Sequence, residues 1–342
     1  MLSNSFVIQN QNMATKPLLK VTGLKKSFGN VKAVNDVSFE ISPGESVGLI
    51  GANGAGKTTL MRLLTTLDVS DEGRIEMEGA DLLASPGLRT AIGWMPDDFI
   101  CPPSTTVDDY LDFYARAYRL KGATRMAEVE RILHFCGMAT LRTRQVDKLS
   151  KGEKQRLSLA RMLIGNPRLL IMDEPAAGLD PKARVEFKSY VRRLQAEGRT
   201  LLISSHILSE LSEMCDRLIM MDAGAIIEQG SREDLQKAAS GNGLTVRMEV
   251  LGHSADLLAE LQRRPHWEEV ELENPPVPGS SESVVVSRMR AQLRASGREE
   301  ESLQLLATEL RDLSARFPLL SFARIENNLE ETFIHLLNQR HA

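Results

Sequence analysis

Residues 51–59 read GANGAGKTT and constrain this chain more than any other stretch. They fit G-x-x-x-x-G-K-[ST], a loop whose backbone N–H groups wrap the phosphates of a nucleoside triphosphate. The run Ser46-Val-Gly-Leu-Ile50 before it is short and apolar and predicts a strand. The run Leu60-Met-Arg-Leu-Leu-Thr-Thr-Leu67 after it predicts a helix. Strand, loop and helix in that order are the setting such a loop requires. Gly51, Gly54 and Gly56 permit a tight bend and a close approach of backbone to phosphate oxygens. Asn53, Ala55 and Thr59 fill out the cradle, and the helix start adds partial positive charge. Lys57 would reach the β- and γ-phosphates, and the Thr58 hydroxyl would bind Mg²⁺.

A chain of 342 residues has room for a large core and about two domains. Its net charge of −4 gives no global electrostatic case for nucleic acid. Cys101, Cys136 and Cys215 lie far apart, with no ligand-like spacing, and predict a reducing compartment without disulfides. The first residues, MLSNSFVIQNQNMATK, lack the charged and apolar regions of a signal peptide. Nor does any apolar run approach the length of a membrane span, about 20 residues. The expectation is a cytoplasmic protein that meets a membrane only through a partner.

Residues 1–17 are polar and predict a disordered tail. From 18 to 240 short apolar runs alternate with helical patterns, the mark of an α/β domain. The runs at 47–50, 169–172 and 201–204 predict buried parallel strands. Val107, Tyr110, Leu111, Tyr114 and Tyr118 recur at helical spacing and predict a helical subdomain over about 98–150. Composition changes near Ser240-Gly-Asn-Gly243. No lysine follows Lys237, and residues 241–342 carry 11 Arg against 16 Asp and Glu, leaving about neutral charge before them. This predicts a separate acidic α+β domain. Strand-like patterns at 244–250 and 268–272 flank a helical pattern at 255–263. A Pro/Ser/Gly loop (274–283), a strand (283–288) and a helix marked by Leu303, Leu306, Leu310 and Leu313 follow, then a last strand and helix. The order β-α-β-β-α-β is that of a small split βαβ unit.

Four further motifs narrow the chemistry. Leu169-Leu-Ile-Met-Asp-Glu-Pro175 is an apolar strand ending in two carboxylates, of which Asp173 can hold Mg²⁺ and Glu174 can orient or deprotonate a water. Leu149-Ser-Lys-Gly-Glu-Lys-Gln-Arg156 contains Ser150 and Glu153 at capping-box spacing, so it opens a helix and offers an anion site at its start. Ala176-Ala-Gly-Leu-Asp180 is a turn with Pro181 just inside the next helix. Leu201-Leu-Ile-Ser-Ser-His206 ends a strand on a histidine that could contact a γ-phosphate.

In this order and spacing the five motifs resemble those of the ATP-binding cassette (ABC) ATPases, over about residues 18–236. The resemblance implies a P-loop NTPase cassette, an α/β fold with a parallel-sheet core, an antiparallel β edge and a helical subdomain. It implies an ATPase bound to ATP and Mg²⁺, with Glu174 and His206 catalytic and Asp173 on the metal. It implies that Ser150, Lys151, Gly152, Glu153 and Asp180 act in trans, on the ATP of a second subunit. Phe28 would stack on adenine, with Val34 under the same base. The implied partners are a second cassette, identical or related, and a multi-span membrane permease.

Three positions in two motifs depart from the family pattern. Lys151 and Glu153 stand where Gly and Gln are usual, although Ser150-x-Gly152 is kept. Asp97 aligns with the usual Gln between the subdomains, so a carboxylate would face metal or water there. Near the end, Asn328-Leu-Glu-Glu-Thr-Phe333 is similar to the L-E-x-x-F ending of drug- and lipid-exporter cassettes such as the daunorubicin exporter ATPases. The expectation is the energising subunit of an exporter, peripheral on the cytoplasmic face of the membrane. The alternative is a soluble ABC ATPase or a nucleotide-binding regulatory module.

Overall fold

A computed structural model describes residues 16–99, 101, 104–235, 244–252, 255–273, 286–293 and 299–325. The chain divides into two compact units, Met1–Gln229 and Gly230–Ala342. The composition break at 240–243, the Pro/Ser/Gly loop and the L-E-x-x-F segment lie outside the described residues.

The first unit is built on two sheets. Strands β1 (Leu19–Phe28), β2 (Val31–Ile41), β4 (Glu72–Met77) and β5 (Ala80–Asp81) form an antiparallel sheet in the order β2-β1-β4-β5. Strands β3 (Ser46–Ile50), β6 (Ile92–Met95), β7 (Leu169–Met172), β8 (Thr200–Ser205), β9 (Arg217–Asp222) and β10 (Ala225–Ser231) form a second sheet, ordered β10-β9-β3-β8-β7-β6. Pairs β6/β7, β7/β8, β8/β3 and β3/β9 are parallel. β3, β7 and β8 are buried along their whole length, which is why they read as continuous apolar runs.

Helix α1 (Lys57–Leu64) leaves the end of β3. Its Leu60, Met61, Leu63 and Leu64 are buried in one core with Val21, Leu24, Val37 and Phe39 of the antiparallel sheet and Val47, Leu49, Leu169 and Leu202 of the parallel sheet. This helix therefore anchors the phosphate loop from both layers. Beyond β6 come α2 (Val107–Ala117) and α3 (Gly122–Phe135). Thr106 caps α2 by accepting from the Asp109 N–H, and Val107, Tyr110 and Leu111 are its buried face. Helix α4 (Lys151–Leu163) then leads into β7, α5 (Pro181–Ala196) into β8, and α6 (Leu208–Ser212) follows β8.

The second unit contains β11 (Leu244–Leu251), α7 (Ala255–Arg263), β12 (Trp267–Leu272), β13 (Val286–Leu293), α8 (Glu299–Arg316) and β14 (Leu319–Ile325). Its sheet order is β12-β13-β11-β14, antiparallel throughout. β13 lies between β11 and β12, which splits the first βαβ as the pattern predicts. Alternate residues Val246, Met248 and Val250 of β11 are buried with Leu257 and Leu261 of α7 and Leu306, Leu310 and Leu313 of α8. Arg247 and Glu249 take the other face of β11 and pair with Glu273 and Arg288.

Candidate active site

The loop after β3 is shaped by contacts that exclude side chains. A Cβ on Gly51 would sit 2.4 Å from the Met221 carbonyl oxygen, and one on Gly56 would sit 2.1 Å from that of Ala33. Gly56 also has φ +102°, a left-handed conformation strained for any other residue, and it is the N-cap of α1. No side chain caps this helix start, so its first-turn N–H groups remain for an anion. Gly54 lies at φ +86° with open space beside it; Asn53 and Thr58 are exposed, Thr59 half-buried and Ala55 buried.

A distant turn holds this loop in place. The Gly224 N–H donates to the Ala55 carbonyl at 3.0 Å, and the Asn35 N–H donates to the Gly224 carbonyl at 2.7 Å. Ala223 and Gly224, between β9 and β10, have φ of +45° and +82°. A Cβ on Gly224 would meet the Lys32 carbonyl oxygen at 2.6 Å. This brace is absent from the sequence reading. Its only local signal is the Asp-Ala-Gly turn between two apolar runs.

The Lys57 ammonium turns back over its own loop. It donates to the carbonyls of Gly51 at 2.7 Å and Ala52 at 3.3 Å, and lies 3.2 Å from Glu174 Oε1. Glu174 stands at the end of β7 with φ +45°, a conformation that costs about 1–3 kcal/mol for a non-glycine residue and is kept only where its surroundings enforce it. Ser204 supplies the enforcement. Its Oγ accepts from the Glu174 N–H at 2.8 Å and donates to Asp173 Oδ1 at 2.6 Å. Asp173 is 1% exposed, and its N–H donates to the Met95 carbonyl at 2.9 Å. His206 Nδ1 lies 2.8 Å from Glu174 Oε2. Glu174 Oε1 is buried and accepts no hydrogen bond. Its neighbour is the Lys57 ammonium, so this oxygen becomes open to a water only once Lys57 turns to another anion.

Asp97, two residues past β6, joins this cluster through space. Burial, then the neighbouring Asp173, Asp98 and Glu174 carboxylates, push its carboxyl above the usual range, and Lys151 opposes them. Among the described residues no three His, Cys, Asp or Glu side chains form a metal cage. Magnesium does not need one. It takes oxygen ligands, keeps several waters and uses one or two protein oxygens beside phosphate. The exposed Thr58 hydroxyl and the Asp173 carboxylate are donors of that kind.

The helix-tip motif forms its own structure. Ser150 and Glu153 make the capping box: the Glu153 N–H donates to Ser150 Oγ at 3.2 Å, and the Ser150 N–H donates to Glu153 Oε2 at 2.7 Å. The Ser150 amide, first of all, holds the Glu153 carboxyl below its usual range. Gly152 is small because a Cβ there would lie 3.1 Å from that of Ala183. Lys151 Nζ hangs over Gly178, 2.3 Å from where a Cβ would be. Asp180 caps α5, accepting from the Ala183 N–H at 2.9 Å. Gln155, unforeseen in the sequence, donates to the Pro175 carbonyl at 2.7 Å and ties α4 to the carboxylate turn. Among the described residues no hydrogen bond or ion pair joins residues 150–153 or Asp180 to residues 51–59. Lys57, Asp173, Glu174 and His206 are brought together, while Ser150, Lys151, Gly152, Glu153 and Asp180 make no such bond to the loop, although Lys151 acts on Asp97.

Phe28 ends β1 with 52% of its surface exposed and the Lys26 ammonium over its ring, 5.4 Å from the centre, so it is an exposed aromatic rather than a core residue. Val34 is 1% exposed and packs in the core. Its inward position on β2 leaves little surface for a base.

Comparison with known proteins fits this geometry. The model of the ABC transporter family matches residues 34–177. Nod factor export ATP-binding protein I of Bradyrhizobium diazoefficiens is 35% identical over 74% of this chain and 82% of its own length. Linearmycin resistance ATP-binding protein LnrL of Bacillus subtilis is 28% identical over 93% of this chain and 98% of its own. Among solved structures, the ATP binding subunit of an ABC transporter superposes with TM-score 0.58 at 29% identity, covering 65% of this chain and 92% of that one. The ADP conformation of MJ1267, an ATP-binding cassette, gives 0.57 at 27%, covering 64% and 93%. A cassette whose carboxylates, lysine and histidine already converge, and whose sequence follows such relatives for most of their length, belongs to the ABC transporter family as one of its ATP-binding, ATP-hydrolysing subunits.

Proposed function

We propose that two such cassettes pair head to tail around ATP and drive export through a multi-span permease. One observation carries the reading. Glu174 is held in a strained backbone between Lys57, His206 and Ser204, and its Oε1 accepts no hydrogen bond and faces the Lys57 ammonium, which phosphate would draw away. That is the arrangement a base needs if it is to take a proton from a water attacking the γ-phosphorus. Lys57 would exchange its loop carbonyls for phosphate oxygens, a charge-assisted contact. Thr58 and Asp173 would hold magnesium, with Asp97 beside them; when bound, the ion neutralises charge on the phosphates.

That residues 150–153 and Asp180 make no hydrogen bond or ion pair to residues 51–59 among the described residues supports action in trans. A second chain, identical or related, would set its Ser150–Gly152 tip against the triphosphate. Closed pairing neutralises the triphosphate from both sides, and hydrolysis releases it. Phe28 offers its ring to adenine. The named relatives act in Nod factor export and linearmycin resistance, which supports the export direction and a place on the cytoplasmic face of the membrane. Among the described residues no helix is long and apolar enough to cross a membrane, so the permease supplies the path. A net charge of −4 gives nucleic acid no general attraction.

The test is purification of the tagged chain from detergent-solubilised membranes. Recovery of a multi-span protein in stoichiometric amount, with ATP hydrolysis that rises when that protein is present, is the expected result. Recovery with ribosomes or nucleic acid in its place contradicts the reading.

A further inference from the structure

Glu210 is a carboxylate where the sequence gives no reason for one. It sits in α6 between Leu208 and Leu211, both buried, and its own side chain is 7% exposed. A buried carboxylate is costly unless paired and hydrogen-bonded. Its partners here are specific. Oε2 accepts from Ser205 Oγ at 3.2 Å. Oε1 faces Arg184 Nε at 3.1 Å, within ion-pair distance but outside hydrogen-bond geometry, so both atoms are buried without a hydrogen bond.

The two ends of this pair reach different loops. Ser205 directly precedes His206, and its Oγ also accepts from the Ile207 N–H at 3.0 Å. One hydroxyl thus brackets the histidine on both sides. Arg184 lies one turn into α5, its N–H donating to the Asp180 carbonyl at 2.9 Å. Its guanidinium donates to the Leu179 carbonyl at 3.4 Å. The contacts run without a gap from the Gly178-Leu179-Asp180 turn through Arg184, Glu210 and Ser205 to His206, which holds Glu174 at 2.8 Å.

We propose that Arg184 and Glu210 are positioning residues that tie the placement of His206 to the state of the 178–180 turn. The inference rests on the proposed roles of His206, Glu174 and the 178–180 turn. In the closed pair that turn meets the second cassette; its movement would bring Arg184 into hydrogen-bond geometry with Glu210 and, through Ser205, set the histidine against Glu174. A need for stability does not explain the pair. Apolar residues of similar volume commonly replace a buried ion pair at no loss, and α6 is otherwise apolar on this side.

The experiment is steady-state ATP hydrolysis by the purified full chain with Mg–ATP, for the unmodified protein, Arg184→Gln, Glu210→Gln and the double variant. Melting temperatures confirm folding. Each single change is expected to lower kcat at least about tenfold while KM for ATP stays within about twofold. Because the residues act in one path, the double variant should be within about threefold of the weaker single one. Arg184→Lys, which keeps the charge, should recover part of the loss and still serves if Glu210→Gln does not fold. Folded variants with kcat within twofold of the unmodified protein overturn the proposal. So do single effects that multiply in the double variant, or a rise in KM at constant kcat. If the unmodified chain does not hydrolyse ATP, the reading of Glu174 and His206 fails, and the relay with it; if it does and the variants behave independently, the relay alone fails.

Discussion

His206 and Glu174 are joined across the ends of two parallel strands, with Nδ1 of the histidine 2.8 Å from Oε2 of the glutamate. The other glutamate oxygen faces Lys57 at 3.2 Å. Both contacts depend on β7 and β8 being neighbours, because Ser204 and His206 close β8 where Asp173 and Glu174 close β7. Removing the imidazole frees the carboxylate to swing. His206→Ala is expected to lower kcat by about 10²–10⁴-fold, the span usual for a positioned acid–base group. Nucleotide affinity should change little. Phosphate release and equilibrium nucleotide binding, measured side by side, check this.

Lys57→Ala removes a charged donor that the loop already holds at 2.7 Å from the Gly51 carbonyl. Loss of a charge-assisted contact weakens binding by about 1.5–3 kcal/mol. Titration with a fluorescent ATP analogue should show that loss, and the melting temperature of the nucleotide-free protein should also fall, because the buried Glu174 oxygen and the loop carbonyls lose their donor.

Gly56→Ala tests the shape of the cradle. The added methyl would lie 2.1 Å from the Ala33 carbonyl oxygen, at a φ of +102°. Strain of this kind costs on the order of 1–3 kcal/mol, and the Ala33 backbone must move for the methyl to fit. Denaturant unfolding should report the destabilisation, and nucleotide binding should fall further than stability. Gly54→Ala, with open space beside it, should be milder.

Asp97 predicts a pH dependence of known sign. Its folded carboxyl is raised from 3.8, chiefly by burial and then by Asp173, Asp98 and Glu174. The folded state therefore binds more proton than the unfolded state above that value, and this group's contribution falls as pH rises through the window. In nucleotide- and magnesium-free buffer Asp97→Asn should raise the melting temperature at pH 7–8 and leave it unchanged near pH 3.5. A stabilisation equal at both pH values would contradict the assignment.

The cysteines offer a check on packing. Burial pushes Cys136 up to about 12 and pushes Cys215 up as well. Thiolate is the reactive form, so at pH 8 both should resist alkylation in the native chain and react in denaturant. Cys101, partly exposed, should be the first thiol labelled. Mass spectrometry of the alkylated peptides distinguishes the three.

What could be read from the sequence was whatever a short run determines by itself. β3, β7 and β8 announce themselves because a strand buried on both faces has only apolar residues to use. The capping box at Ser150 and Glu153 is a three-residue rule, and the structure contains it with both hydrogen bonds made. The split βαβ order of the second unit follows from alternation along Leu244–Leu251 and the Leu306, Leu310 and Leu313 stripe. Illegible were the contacts made between distant segments. Nothing local shows that Ser204 would hold the Asp173 carboxylate and the Glu174 N–H from 31 and 30 residues away. Neither does the turn at Ala223 and Gly224 declare that it supports a loop far upstream in the chain. Val34, expected beneath a base, sits on the inward pleat of β2 and packs in the core, a placement its local sequence does not announce. The Arg184–Glu210 pair escaped for the same reason, since helix spacing within α5 or α6 cannot reveal a partner on the other.

The most direct test of the central claim uses Glu174→Gln, which keeps the shape of the site and removes the proposed base. With saturating ATP and magnesium the variant should retain nucleotide, stop hydrolysis and run as a dimer in size-exclusion chromatography with light scattering, returning to monomer when ATP is withdrawn. A chain that hydrolyses ATP normally without this carboxylate, or that stays monomeric with the nucleotide trapped, would contradict the account.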